Sequence, residues 1–149
     1  LGIQSLTSTE TVAQHALGKV VKGIDPVYGE GEFIYLQGVA STVVGDAVVF
    51  SSAFATTRAV AASRGAVAVA LSANVASQYG WYQISGLAVV KAATVVADTA
   101  CQLTATAGTL DDTTTSTNYI DGAVFKSADG TPSAGFAIAQ LSYPTANGR

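Results

Sequence analysis

The stretch EFIYLQGV, residues 32–39, carries apolar or aromatic side chains at most of its positions. An extended strand places successive side chains on opposite faces of a sheet. One face would carry Phe33, Tyr35 and Gln37, and the other Ile34, Leu36 and Gly38. This alternation predicts a half-buried β-strand.

Short runs of the same kind recur along the chain, separated by Gly, Asp, Asn and Ser. They are GKVVKG, DAVVF, TTRAVAAS, AVAVALS, GWYQISGLAVV, ACQLTATAG, YIDGAVFK and GFAIAQLSY. Many short strands with turn residues between them are typical of an all-β sandwich or barrel. We therefore predict an all-β, jelly-roll-like or barrel/sandwich single domain.

The alanine-rich stretch 58–77 also suits a helix by propensity. Gly65 interrupts it at a cost of about 1 kcal/mol, and residues 66–71 alternate small and branched side chains with period two. This pattern favours two strands joined by a turn at Ser63-Arg64-Gly65.

A length of 149 residues is sufficient for one domain with a continuous core. We expect an extended N-terminal arm at residues 1–16, a β-domain at 17–143 and a C-terminal tail at 144–149. Thr7 and Glu10 have the spacing of a helix capping box, so a short helix from Thr7 to Leu17 is the alternative for the arm.

The composition points to an assembled protein. Charged residues make up 11% of the chain and hydrophobic residues 49%, whereas a soluble domain has about 25% charged residues. The seven Lys and Arg residues are scattered and the net charge is −3, which argues against a nucleic-acid partner. Every apolar run is too short for a bilayer span, so no membrane helix is expected.

Few residues are suited to catalysis. His15 is the only histidine and Cys101 the only cysteine, so an intrachain disulfide is impossible and a histidine-based triad has one candidate base, within the predicted arm. Cys101 is predicted to be buried or half-buried. Gly29-Glu30-Gly31 precedes a strand and not a helix, so it predicts a flexible turn and not a phosphate loop. We predict no enzyme, no cofactor and no metal.

Two polar segments are predicted as surface loops, residues 108–117 and 127–133. The first contains Asp111 and Asp112, which, beside Asp98 or Asp121, would form an acidic site for a cation or a hydrolytic reaction. Adjacent aspartates in a threonine-rich loop are more often solvated turn residues.

The only tryptophan lies in SANVASQYGWYQISGLAVV, residues 72–90. In a strand Trp81 and Gln83 share one face while Tyr82 and Ile84 share the other, so one large ring faces the core and the other faces outwards or a neighbour. Three roles stay open for the outer ring: a rim residue, a contact with a subunit or partner, and a platform for stacking a sugar or base.

Three stretches, DPVYGEGEFIYLQGVASTVVGDAVVF, AVALSANVASQYGWYQISGLAVV and LTATAGTLDD, resemble small head proteins of tailed bacteriophages, known as decoration or cement proteins. The resemblance covers Leu17 to Tyr143. It implies a jelly-roll-like or barrel domain that binds outside the head at junctions between major capsid protein subunits and stabilises the shell.

The resemblance also implies a homo-oligomer, dimer or trimer, made in the bacterial cytoplasm and located on the virion surface, with neither enzyme activity nor cofactor. Residues 1–14 are expected to lie across a neighbouring subunit. The residues predicted to contact capsid or subunit are Leu1, Ile3, Leu6, Tyr28, Tyr35, Tyr79, Trp81 and Tyr82. The alternative function is a carbohydrate-binding module on the virion surface, with Tyr79, Trp81 or Tyr82 as its stacking face.

Overall fold

A computed structural model describes residues 6–113 and 117–147, which form eleven β-strands and no helix. The all-β prediction is confirmed. The strands are β1 (Thr9–Glu10), β2 (Val20–Asp25), β3 (Gly29–Gln37), β4 (Ala47–Phe50), β5 (Thr56–Arg58), β6 (Arg64–Ala70), β7 (Tyr79–Lys91), β8 (Ala100–Leu103), β9 (Leu110–Asp111), β10 (Tyr119–Phe125) and β11 (Phe136–Asn147). Across the described ranges there is accordingly no helix able to cross a membrane.

The strands pair antiparallel in the order β2-β3-β7-β6-β11-β10-β8-β9, while β1 pairs with β7 and β4 with β5 and β6. Strand β7 pairs with β3 over its first half and with β11 from Ser85 to Lys91. Between these halves Gly86 has φ +95°, and an added Cβ would lie 2.4 Å from the Glu30 carbonyl oxygen. Only glycine fits this close approach of β7 to β3, and the single large antiparallel sheet is consistent with a β-sandwich or jelly-roll-like domain.

The core has three clusters of buried side chains. The largest is built from β6 to β11 and includes Leu103, Phe125 and Leu141. The two faces of β3 supply the other two clusters: Ile34 and Leu36 pack with Tyr82 and Ile84, while Phe33 and Tyr35 pack with Trp81. The assignments of side chains to opposite faces predicted for residues 32–39 and 81–84 are therefore confirmed. The prediction that the strand at 32–39 is half-buried is wrong, because both faces of β3 are buried from Phe33 to Leu36.

The alanine-rich stretch forms strands, as predicted, but its turn comes earlier. The amide of Ser63 donates to the carbonyl of Val60 at 3.0 Å, and Ala62 has φ +64°. Arg64 already begins β6, so the turn spans residues 60–63, about two residues before the predicted Ser63-Arg64-Gly65.

The predicted turn at Gly29-Glu30-Gly31 is wrong, because β3 begins at Gly29. The carboxylate of Asp25 accepts hydrogen bonds from the amides of Val27 at 2.7 Å and Tyr28 at 3.0 Å. This side-chain turn reverses the chain over residues 26–28, before the glycines are reached.

The predicted loop at 127–133 contains no strand. The loop predicted at 108–117 contains strand β9, because Leu110 is a buried core residue. Residues 114–116 lie outside the described ranges. Cys101 is fully buried, as predicted, and burial raises the pKa of its thiol to about 12.

The described parts of the segments predicted as arm and tail contribute residues to the sheet. Residues 7–17 form no helix, so that alternative is wrong, and Thr9–Glu10 instead pair with Gly80 and Tyr79 of β7. At the other end β11 continues through the predicted boundary at 143 to Asn147. Ala146 is buried in the main cluster, which explains why the strand extends this far.

Candidate binding surfaces

Strands β3 and β7 build an aromatic cluster on one face of the sheet. Tyr35 and Trp81 are cross-strand partners with ring centroids 5.0 Å apart, and Tyr79 stacks on Tyr35 at 6.4 Å. His15 packs over both partners, with centroid distances of 5.1 Å to Tyr35 and 5.2 Å to Trp81. The single histidine therefore contacts its own domain.

The Tyr35 hydroxyl anchors the N-terminal segment, defined here as residues 6–16. It donates to the carboxylate of Glu10 and accepts from the amide of Gln14 at 3.1 Å. Burial, followed by the hydrogen bond to Glu10, raises the pKa of Tyr35 to about 12. Leu6 packs against the same cluster, so the segment covers the aromatic face of the sheet.

The prediction that one ring of the Trp81-Tyr82 pair faces outwards is wrong, because the N-terminal segment covers Trp81. Trp81 is only 2% exposed beneath the N-terminal segment. Tyr82 is fully buried on the opposite face, where the side-chain amide of Asn74 donates to its hydroxyl at 3.0 Å. Neither ring is placed to stack a sugar or base.

The predicted contact residues separate into three groups. Tyr35, Trp81 and Tyr82 are buried, Leu6, Tyr28 and Tyr79 are half-buried, and Leu1 and Ile3 lie outside the described residues. The buried three present no surface to a partner in this conformation. Tyr35 and Trp81 hold β3, β7 and the N-terminal segment together, whereas Tyr82 packs between β3 and β7 in the cluster on the opposite face.

Replacing Tyr35 with phenylalanine is expected to lower the free energy of unfolding by about 1–2 kcal/mol, because one hydroxyl serves two hydrogen bonds. Amide exchange at Gln14 should accelerate more than exchange in the centre of β7. Exchange measured by NMR, together with urea unfolding, tests both effects. Tyr28→Phe, in the β2-β3 turn, is the matched control, and equal exchange at Gln14 in both variants would contradict the anchoring role.

The acidic residues considered for a cation or hydrolytic site are held by separate interactions and do not form one cluster. Asp111 accepts from the amide of Thr113 and Asp112 from the amide of Val96, each at 3.0 Å. Asp98 forms an exposed ion pair with Lys126, and Asp121 lies exposed on β10. Within residues 6–113 and 117–147, no three His, Cys, Asp or Glu side chains are grouped to hold a metal ion.

A buried charge cluster around Asp46 was missed by the sequence analysis. Asp46 is fully buried and accepts from Arg58 Nε at 2.8 Å, from Lys91 Nζ at 3.2 Å and from the amide of Val43 at 3.0 Å. Arg58 also donates to the carbonyl of Ala107 at 3.1 Å. The cluster joins β4, β5 and β7 to the loop before β9, which is a structural role.

Strand β2 is the open edge of the sheet. It stands at the end of the strand order with β3 as its only neighbour among the described strands. The amide of Tyr35 donates to the carbonyl of Lys19, and the register continues with Val21 opposite Phe33 and Gly23 opposite Gly31. Because hydrogen bonding alternates in an antiparallel pair, the even-numbered residues of β2 direct their backbone groups away from β3.

The β2-β3 hairpin exposes apolar side chains at its free end. Ile24 is 74% exposed and Val27, in the turn, is 78% exposed, while Val20 at the start of β2 is 46% exposed. Apolar side chains on an unpaired edge strand are a ready template for association with another protein.

A groove of about 520 Å³ lies between this hairpin and the strands β7 and β11. Its side chains are mainly polar: Lys22, Ile24, Glu30, Glu32, Ser85 and Gln140. Tyr143, 59% exposed, donates its hydroxyl to the Glu32 carboxylate, and this bond raises the pKa of the Tyr143 phenol. The exposed aromatic ring of this region is therefore Tyr143 and not Trp81.

Comparisons of the chain with protein-family models, with curated proteins and with solved structures gave no match. The resemblance to phage head proteins thus stays a prediction from the sequence. The exposed hairpin and the groove are the surfaces from which a function is inferred.

Proposed function

We propose that the chain is a phage decoration protein, which binds the outer surface of the head at junctions between major capsid protein subunits and stabilises the shell. It acts there as a structural component without catalysis, as a dimer or trimer on the virion. The observation that carries the proposal is the exposed apolar end of the β2-β3 hairpin, with Ile24 at 74% and Val27 at 78% exposure.

The hairpin is suited to carrying load between proteins. Strand β3 continues from the exposed turn directly into the core, where Tyr35 and Leu36 are fully buried. A force applied to the turn is therefore transmitted to the folded sheet. A protein that keeps two capsid subunits from separating requires such a rigid connection. A seam bridged by such a contact opens only after the contact is broken.

The expected affinity of one contact is modest. Burying a Val or Ile side chain fully contributes about 1.5–3 kcal/mol, and association loses translational and rotational freedom. Two such side chains on a single hairpin are therefore insufficient for tight binding by one copy. An oligomer that engages several seams gains from multivalency, and many copies then stabilise one shell.

Replacing both Ile24 and Val27 with aspartate is expected to weaken binding to decoration-free heads by about 100-fold or more, because two apolar contacts become buried charges. Co-sedimentation of purified protein with heads measures the effect. Val44→Asp with Val96→Asp is the matched control, since these side chains are also exposed, at 50% and 57%, but lie outside the hairpin and the N-terminal segment.

Both variants should keep the unfolding free energy of the parent, because all four side chains are largely exposed. Equal binding of parent and hairpin variant to heads would overturn the role of the hairpin. Failure of the parent itself to bind heads, or to raise their resistance to heat, would overturn the proposed function.

A second candidate is carbohydrate binding, which the groove favours. Sugar ligands are bound by carboxylate and amide hydrogen bonds beside an exposed aromatic face, and Glu32, Gln140 and Tyr143 supply these groups. A glycan array tests this function. Binding that is lost in Tyr143→Ala and kept in Tyr28→Ala would support it, and an array without signal for the parent would remove it.

A further inference from the structure

We infer that the open edge of β2 accepts one extended strand of a different protein, and that this strand carries a carboxylate opposite Lys22 with apolar side chains on either side. The inference rests on the proposed function and specifies the side chains of the partner segment that binds β2. The placement of Val20, Lys22 and Ile24 along one unpaired edge carries it.

The backbone of this edge is available for pairing. Val20, Lys22 and Ile24 each direct one N–H and one C=O away from β3, a total of six groups. No proline interrupts Val20–Asp25, and the first one follows the strand at Pro26. A short extended segment can therefore form a regular antiparallel or parallel ladder here, as in other cases of strand addition.

The side chains of the edge specify the incoming strand. Val20, Lys22 and Ile24 share one face, and all three are exposed. On its β3 side Lys22 stands opposite Glu32. The ion pairs of the described residues nevertheless use Arg58, Lys91 and Lys126 as cations and leave Lys22 out. Cross-strand neighbours are most favourable when apolar meets apolar and cation meets carboxylate, so the complementary strand has an apolar-acidic-apolar pattern at alternate positions.

A second copy of this chain does not fit the same edge. When β2 pairs with itself about a two-fold axis, residues of the same face come opposite one another, so Lys22 meets Lys22, Val20 or Ile24. The acid of the strand, Asp25, is at an odd position and points to the other face. Self-pairing therefore places no carboxylate across the free edge from Lys22, and in one register it places a like charge there, which disfavours edge-to-edge self-association.

The test uses the full chain and end-blocked synthetic peptides. The probe is TVTETVT, the charge control is TVTKTVT, and a third peptide is TVTETVT with N-methyl groups on alternate amides. NMR titration of the ¹⁵N-labelled protein reports on each backbone amide. We expect the glutamate peptide to shift the amides of Val20, Lys22 and Ile24 more than those of Val21 and Gly23.

The decisive comparison is between the affinities of the glutamate and lysine peptides. The parent should bind the glutamate peptide roughly fivefold more tightly than the lysine peptide, and Lys22→Glu should reverse this preference. The peptide methylated on its bonding amides should not bind. No shift at the edge amides with millimolar peptide, or an unchanged preference in Lys22→Glu, would overturn the inference.

The peptide and head experiments fail independently. If the parent sediments with heads while TVTETVT leaves the edge amides unshifted, the decoration role stands and the strand-addition mode is wrong. If TVTETVT binds with the expected charge preference while the parent does not bind heads, the edge is a strand-binding site for another partner and the decoration role is wrong.

Discussion

Replacing Asp46 with alanine is expected to lower the free energy of unfolding by about 3–5 kcal/mol, the cost of removing one partner from a buried ion pair. The carboxylate is fully buried and is shared by Arg58 and Lys91. Without it the Arg58 and Lys91 cations lie close together with no carboxylate between them. A small domain has about 5–15 kcal/mol in total, so this loss leaves a marginally stable protein.

Asp98→Ala is the matched control for Asp46→Ala. Asp98 also pairs with a lysine, at 3.2 Å, but its side chain is 78% exposed, and such surface pairs contribute about 0–1 kcal/mol. Urea unfolding of both variants gives the comparison. Similar losses in the two variants would show that Asp46 owes its place to packing and not to its charge.

Local pattern was sufficient to predict which side chains of a strand share a face. The alternation of residues 32–39 and 81–84 depends only on the two-residue period of an extended chain, and the structure places both sets of faces as expected. Leu110 shows the limit of this approach. It lies in a polar segment that resembles a loop, and its burial is set by the neighbouring strand β8.

Contacts between distant segments could not be predicted from the sequence. Asp46 resembles a turn residue after Gly45, and nothing near it in the chain signals that Arg58 and Lys91 converge on it. The N-terminal segment is rich in Thr and Ser and has no apolar period, so its docking through Glu10 and Gln14 on a single hydroxyl gave no pattern to detect. The burial of Trp81 follows from that docking.

The candidate site was also only partly predictable. Of the aromatic residues singled out in the sequence, Tyr35, Trp81 and Tyr82 belong to the core, and Tyr28 and Tyr79 are half-buried. The exposed edge depends on strand order, which places β2 last in the sheet, and strand order is a property of the whole chain. The side chains on which the proposed contact rests are therefore the aliphatic residues Ile24 and Val27, at the end of a hairpin.

Replacing Trp81 with alanine is expected to lower the free energy of unfolding by about 3–5 kcal/mol and to release the N-terminal segment. Trp81 is 2% exposed, and its ring packs against the rings of Tyr35 and His15, with centroid distances of 5.0 Å and 5.2 Å. The cavity left by alanine removes contacts for both neighbours. Amide exchange at Thr9 and Glu10 should therefore approach the rate of an unstructured chain, whereas urea unfolding reports the global loss.

Trp81→Phe is the matched variant, because it keeps a ring in the cluster and should lose less stability than Trp81→Ala. The comparison with Tyr35→Phe separates packing from hydrogen bonding: Tyr35→Phe should free Gln14 at a small global cost, while Trp81→Ala should free the segment at a large one. If Trp81→Ala left exchange at Thr9 unchanged, β1 would be held by its pairing with β7 alone. The aromatic cluster would then stabilise the sheet without fixing the segment that covers it.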